Sequence, residues 1–257
     1  MKSSKSNLPE RLEYHTLGDG VTAFSTMRGT TRPDDPYGGF NACYYTNGDP
    51  TEVAACRHIL SAATGDSHVV MPRQLHTNRV ACIDTLDAPD PEGVDALVTS
   101  LPGVALAINT ADCVPVLMSD ASAHVIAAAH SGWRGTIGHI AIVTFDKMLA
   151  LGATYNNIKV VMGPSICPEC FEVGPEVAEQ FDREFGSGHG IVQTRPEWPR
   201  PHIDLRRAIA LDLMRTGIPA ENIDTTTAPC SHCNPADWWS ARHLGINSGR
   251  TTTLIVQ

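Results

Sequence analysis

The chain has 257 residues, 42% of them hydrophobic and 18% charged, and a formal net charge of −9. That balance supplies a core for one large domain or two small ones, and it excludes a general nucleic-acid binder, which needs a basic face or stripe. An anionic substrate would need a local set of arginines against the acidic whole.

Met1 to Glu10 is polar, without an apolar signal core, and reads as a loose tail. The next positions carry no strong pattern until Val21–Thr26, where β-branched and aromatic residues predict a strand, followed by a Gly-, Pro- and Asp-rich loop over Gly29–Gly39. Asp49-Pro50-Thr51-Glu52 opens a helix whose Val53, Cys56, Ile59, Leu60 and Ala63 share one face. Short strands are expected at 68–71, 80–84, 95–99, 104–109, 114–118 and 123–129. Two of these, Val104–Ile108 and Val125–Ala129, are continuously apolar, as expected for strands covered on both faces. Thr136–Leu151 reads as one helix stopped by Gly152. A strand at 158–162, a helix from Pro175 to about Phe185, a surface excursion over 187–201 and a helix from about Leu205 through Thr216 follow. Strands near 223–227 and 252–257 close the chain.

Strands outnumber helices and do not alternate with them strictly, so the expected class is a mixed-sheet α/β or α+β fold. With no internal repeat and no long linker, residues 1–257 read as a single domain. No Gly-x-Gly-x-x-Gly follows a strand and no Gly-Lys-Ser/Thr loop is present, which leaves nucleotide cofactors of those classes unsupported. No apolar run is long enough to cross a bilayer, and a soluble cytoplasmic protein is expected. Eight cysteines are many for that compartment, which points some of them to metal binding or catalysis.

Three segments carry the chemistry: Gln74-Leu75-His76, Thr110-Ala111-Asp112-Cys113 and His130-Ser131-Gly132-Trp133-Arg134-Gly135. Two imidazoles and a thiolate make a zinc set with an open fourth position. The same residues could form a metal-free pair in which an imidazole activates the Cys113 thiolate. Spacing alone does not separate these readings. Gly132 and Gly135 flank Trp133-Arg134, where close backbone approach and a nearby helix start suit an anion. Cys167-Pro-Glu-Cys170 and Cys230-Ser-His-Cys233 form a further pair of Cys-x-x-Cys motifs, consistent with a second, four-thiolate metal site or with reduced thiols. Cys43, Cys56 and Cys82 read as core or near-surface thiols.

The runs Asp95–Thr99, Asn109–Val116, Ala128–Gly135, Gly163–Ile166, Phe171–Gly174, Trp239–Arg242 and Ser248–Arg250 closely resemble the YfiH-like family. That family is also called the laccase-domain, polyphenol oxidase or purine nucleoside phosphorylase family. The resemblance runs from about Phe24 to Ile255. It implies a sandwich of mixed β-sheets flanked by helices, in a soluble and mostly monomeric protein. It further implies a catalytic zinc on His76, Cys113 and His130. The implied reactions are phosphorolysis of adenosine, inosine, guanosine and methylthioadenosine, with deamination of adenosine. Leu75, Thr77, Ser131 and Trp238-Trp239 depart from the usual blocks without removing a ligand.

A phosphorylase must hold a phosphate dianion with specific basic groups. Arg28 and Arg57 are the candidates, with Asn41 as a neutral partner. Arg134 is either ligand-facing or a scaffold residue paired with Asp112 or another acid. Asp112 is expected to orient a histidine or carry a proton, with turn capping as its plainer role. Two rival readings stand beside this one. The first is a metal-free cysteine hydrolase or amidase built on Cys113 and a histidine. The second, weaker, is a copper-dependent polyphenol oxidase, for which eleven scattered histidines supply no close-spaced clusters.

Overall fold

The computed structural model describes residues 12–32, 34–226 and 228–257, and the tail expected at 1–10 lies outside them. In chain order the elements are β1 (Leu12–His15), β2 (Thr22–Thr26), α1 (Pro50–Ala63), β3 (His68–Val70), β4 (Val80–Cys82), β5 (Ala96–Thr99), β6 (Val104–Thr110), β7 (Val114–Asp120) and β8 (Val125–Ser131). They continue with α2 (Trp133–Ile137), α3 (Ile140–Ala150), β9 (Lys159–Met162), α4 (Pro175–Phe185), β10 (Val192–Gln193), β11 (His202–Ile203), α5 (Leu205–Arg215), β12 (Ile223–Asp224), α6 (Ala241–Leu244) and β13 (Thr251–Val256).

One sheet has the order β1-β2-β13-β6-β3 and the other β12-β9-β7-β8-β5-β4, with β10-β11 as a separate ribbon. Both large sheets are mixed. The β3–β6, β4–β5 and β12–β9 pairs are parallel and the remaining pairs in these sheets antiparallel. Successive strand side chains point to opposite faces, and each central strand therefore feeds two cores. In β6, Val104, Leu106 and Ile108 enter the layer between the sheets, where they meet Leu97, Leu117, Ile126 and Ala128. Ala105 and Ala107 face the other way, toward Phe40, Leu60 and Met71. In β8, Val125, Ala127 and Ala129 back onto Phe145, Met148, Phe181 and Leu213 of the helices. The layers run helix, sheet, sheet, helices, and the all-apolar strands are covered on both faces as their composition requires.

The α1 helix begins where expected, with the Asp49 carboxylate accepting from the Thr51 and Glu52 amides. The helix expected over Thr136–Leu151 is instead two, α2 and α3, broken at Gly138-His139. His139 adopts a left-handed φ of 56°, and its ring bonds Asp212 of α5 at 2.7 Å and Glu184 of α4 at 2.9 Å. Those two side-chain partners hold the break. The excursion over 187–201 contains β10, which pairs with β11 in a two-residue ladder.

Candidate active site

Strand register brings the three segments together. The β6–β7 connection crosses from one sheet to the other and carries Cys113 at its end. Pairing of Val114 with Ser131 and of Pro115 with His130 then sets Cys113 beside the end of β8. His76 arrives from the loop between β3 and β4. The Gln74 side chain fixes that loop by donating to the Asn109 carbonyl at 2.7 Å and accepting from the Asn109 amide at 2.8 Å. The ligand atoms of His76, Cys113 and His130 all lie within 4.8 Å of one another. Cys113 Sγ and His76 Nε2 are 4.0 Å apart, and the two imidazoles meet edge to face with centroids 4.8 Å apart. A Cβ on Gly132 would stand 2.9 Å from Cys113 Sγ and 3.1 Å from His76 Cδ2, so the cluster is built against a glycine.

Asp95 organises the cluster. Fully buried, its carboxylate accepts from His130 Nδ1 at 2.8 Å, the His76 amide at 2.9 Å, and the Thr77 amide and hydroxyl at 2.7 Å each. The Leu75 amide adds a longer contact at 3.2 Å. One side chain thereby aims the His130 ring, leaving Nε2 for the cluster, and holds His76 in its left-handed conformation, φ 59°. Nothing in the spacing singled out Asp95, because its partners lie 18 to 35 residues away. The available signal was a carboxylate opening an apolar strand, which must find donors once buried.

The carboxylate expected on a histidine is thus Asp95 and not Asp112. Asp112 accepts from the Ser231 hydroxyl at 2.8 Å and the Arg242 amide at 2.7 Å, while its own carbonyl accepts from the Ile166 amide at 2.9 Å. Its φ of 91° is one that short polar residues tolerate better than most. It anchors two loops to the residue next to Cys113, which is a positioning role.

Electrostatics follow from the contacts. Burial pushes the Cys113 thiol up, but the His130 imidazolium and hydrogen bonds from both histidines outweigh it, lowering the pKa from 9.0 to about 6. Burial also opposes charge on His130, and the Cys113 thiolate with Asp95 raises it from 6.5 to about 9. For Asp95, burial is again opposed, chiefly by His130 and then by Thr77, and its pKa falls to about 2. The cluster therefore presents a thiolate at neutral pH, the form in which cysteine either ligates a metal or attacks an electrophile.

The residues expected to hold phosphate are mostly engaged elsewhere. Arg57 pairs with Asp90 at 2.8 Å, and Asp90 also accepts from the Met71 amide. Arg28 donates to the Pro235 carbonyl and lies over the Trp239 ring at 4.4 Å. Asn41 is buried, donating to Thr46 and accepting from the Cys43 and Arg250 amides. Arg134 is exposed, stacks over Trp133 at 4.1 Å and forms no ion pair among the described residues, with Asp112 or otherwise. The α2 helix it belongs to is only five residues long, too short to bring a substantial dipole to an anion. A cavity of about 610 Å³ beside Arg206, Arg207 and Met214 shares no lining residue with the cluster. The three ligands open to solvent through the exposed His76.

The family model described as multi-copper polyphenol oxidoreductase laccase matches residues 22–257. This chain belongs to that family. Among the relatives of this laccase-domain chain is adenosine deaminase RL5 from an unknown prokaryotic organism, 44% identical over 96% of this chain and 97% of its own length. Purine nucleoside phosphorylases of Deinococcus radiodurans and Bacteroides thetaiotaomicron are 39% and 33% identical, covering 91% and 95% of this chain and 87% and 95% of their own lengths. Among solved structures, YlmD from Geobacillus stearothermophilus superposes with a TM-score of 0.83 at 27% identity, over 93% of this chain and 92% of that one. Protein YfiH of Bacillus licheniformis gives a TM-score of 0.84 at 23% identity, over 92% of each chain, which bears on the fold. No helix among the described residues is long and apolar enough to cross a membrane.

Proposed function

We propose that this chain is a zinc-dependent purine nucleoside phosphorylase that also deaminates adenosine, acting as a cytoplasmic monomer on adenosine, inosine, guanosine and methylthioadenosine. The observation that carries the reading is the convergence of His76, Cys113 and His130 within 4.8 Å, with Asp95 aiming the second histidine. The relatives named as adenosine deaminase and purine nucleoside phosphorylase supply the substrate class. Two nitrogens and a sulfur with an open side fit a catalytic zinc site. When bound there, zinc supplies a Lewis acid and lowers the pKa of water to near 7.

The chain's own residues do the rest. Asp95 holds one His130 proton on Nδ1, so the proton that leaves when a metal is bound is the one on Nε2, the nitrogen that faces the cluster. Cys113 offers its thiolate without a proton to displace at neutral pH. Arg134, exposed two residues after Gly132 and without a carboxylate partner among the described residues, is the cation assigned to phosphate. In phosphorolysis a phosphate oxygen bonds C1′ as the bond to purine N9 breaks. In deamination water adds at C6 and ammonia departs. The two reactions act on different atoms, so they require two poses of one nucleoside at one open site.

The metal-free cysteine reading has an observation of its own, the thiolate–imidazolium pair of Cys113 and His130. That pair is equally what a zinc site presents before loading. The copper reading draws on the family description alone. The two ligand clusters among the described residues contain only two histidines between them, too few for a multicopper centre.

Incubating the purified protein with adenosine, with and without phosphate, tests the proposal. Adenine and ribose 1-phosphate in the phosphate arm, with inosine as a second product, are expected. No nucleoside turnover in either arm would sink it.

A further inference from the structure

The loop after β9 carries Cys167 and Cys170, and the loop after β12 carries Cys230 and Cys233. In each the motif closes a tight turn, with the Cys170 amide donating to the Cys167 carbonyl and the Asn234 amide to the Cys230 carbonyl. The loops are zipped side by side, since the Ser231 amide donates to the Ser165 carbonyl at 3.1 Å and the Ser165 amide to the Pro229 carbonyl at 3.3 Å. All four sulfurs consequently lie within 4.8 Å of one another, with Cys170 and Cys233 at 3.4 Å. Sulfurs on a tetrahedral zinc with 2.3 Å bonds sit about 3.8 Å apart, so this is close to a preformed tetrathiolate.

Two further observations bear on charge. The Cys167 amide points at Cys230 Sγ, 3.3 Å away, a donor that favours a thiolate over a thiol. The half-buried Arg206 guanidinium donates to Ser165 and to the Ala228 and Pro229 carbonyls, which places a cation against a centre that would be doubly negative when loaded. Both loops also grip Asp112, one through the Ile166 amide and the other through the Ser231 hydroxyl.

We propose that Cys167, Cys170, Cys230 and Cys233 bind one structural zinc ion that staples these two loops around Asp112. Four thiolates close the coordination sphere, so the centre has no position for substrate. It is chemically distinct from the His76–Cys113–His130 cluster and stands whether or not that cluster holds a metal.

The test is metal analysis and zinc-edge X-ray absorption on full-length Cys113→Ala protein, expressed with zinc and purified without chelators. One zinc per chain is expected, with four sulfur neighbours at about 2.3 Å. Cys233→Ser in the same background should lose that equivalent, and if it does not fold, the absorption spectrum of the parent still decides. Zinc-free protein with four titratable thiols, a mass lower by two hydrogens per bridge from disulfide formation, iron in place of zinc, or a shell containing nitrogen would each overturn the proposal.

Discussion

Asp95 receives the Nδ1 hydrogen of His130 at 2.8 Å on the same carboxylate oxygen that accepts the His76 amide at 2.9 Å. Two of the three ligands, one from the β3–β4 loop and one from the end of β8, are therefore registered against one buried charge. The third, Cys113, is placed by the β7–β8 pairing and bounded by Gly132.

Asp95→Asn keeps the shape but replaces one acceptor oxygen by a donor and removes the charge. Zinc affinity, measured by competition with a chromogenic chelator, should fall about 10–100-fold. An unchanged affinity would remove Asp95 from its positioning role.

Gly132→Ala is compatible with the local backbone, φ −77° and ψ 175°, so its effect comes from the Cβ that would press on Cys113 Sγ and His76. Overpacking of this kind costs about 1–3 kcal/mol. The expected signature is zinc content falling more than thermal stability. Full occupancy with a lower melting temperature would place the strain elsewhere.

Arg57→Ala and Arg134→Ala should separate. Arg57 is tied to Asp90 with both partners about one-quarter exposed; its loss should cost about 1 kcal/mol of stability and lower both activities together per folded molecule, if at all. Arg134→Ala should raise the phosphate requirement of phosphorolysis and leave deamination near its starting rate. Arg134→Lys keeps the charge but loses the planar fork, and intermediate behaviour is expected. The reverse assignment in phosphate-titration kinetics would return the anion to Arg57.

The pH behaviour of the metal-free protein follows from two opposed shifts. Cys113, lowered to about 6, contributes stability present above its unfolded 9.0 and lost as pH falls toward 6. His130, raised to about 9, contributes stability present below its unfolded 6.5 and lost as pH rises toward 9. The slopes oppose across that interval, so the pair should give the metal-free protein little change in stability there. Alkylation of Cys113 by iodoacetamide should show a midpoint near pH 6. A midpoint near 9 would mean that His130 does not face the thiol.

Much of this arrangement is legible in the sequence. Val104–Ile108 and Val125–Ala129 have no polar residue to offer solvent, and both run between two cores. Cys113 and His130 stand where such strands end, which is where a rigid scaffold delivers side chains to a site. The role of Asp95 was hidden because hydrogen bonds over 18 to 35 residues leave no periodic trace. The break at His139 was hidden because the apolar period runs through it, and the carboxylates that hold it come from α4 and α5. Arg57 shows a related difficulty: an arginine seeking phosphate and one seeking Asp90 look alike until the partner is in view. The two Cys-x-x-Cys motifs could be paired from their spacing as a four-thiolate candidate or left as reduced thiols, and the zipping of Ser165 against Cys230 and its neighbours is what brings the four sulfurs together.

Turnover of adenosine in phosphate buffer by metal-depleted protein, titrated with zinc, separates zinc dependence from cysteine catalysis. Negligible product is expected without metal, with recovery complete when the His76–Cys113–His130 site is filled and no recovery in Cys113→Ala despite a folded chain. Full activity in the depleted enzyme, abolished by one equivalent of iodoacetamide on Cys113, would contradict it and establish the cysteine as the nucleophile.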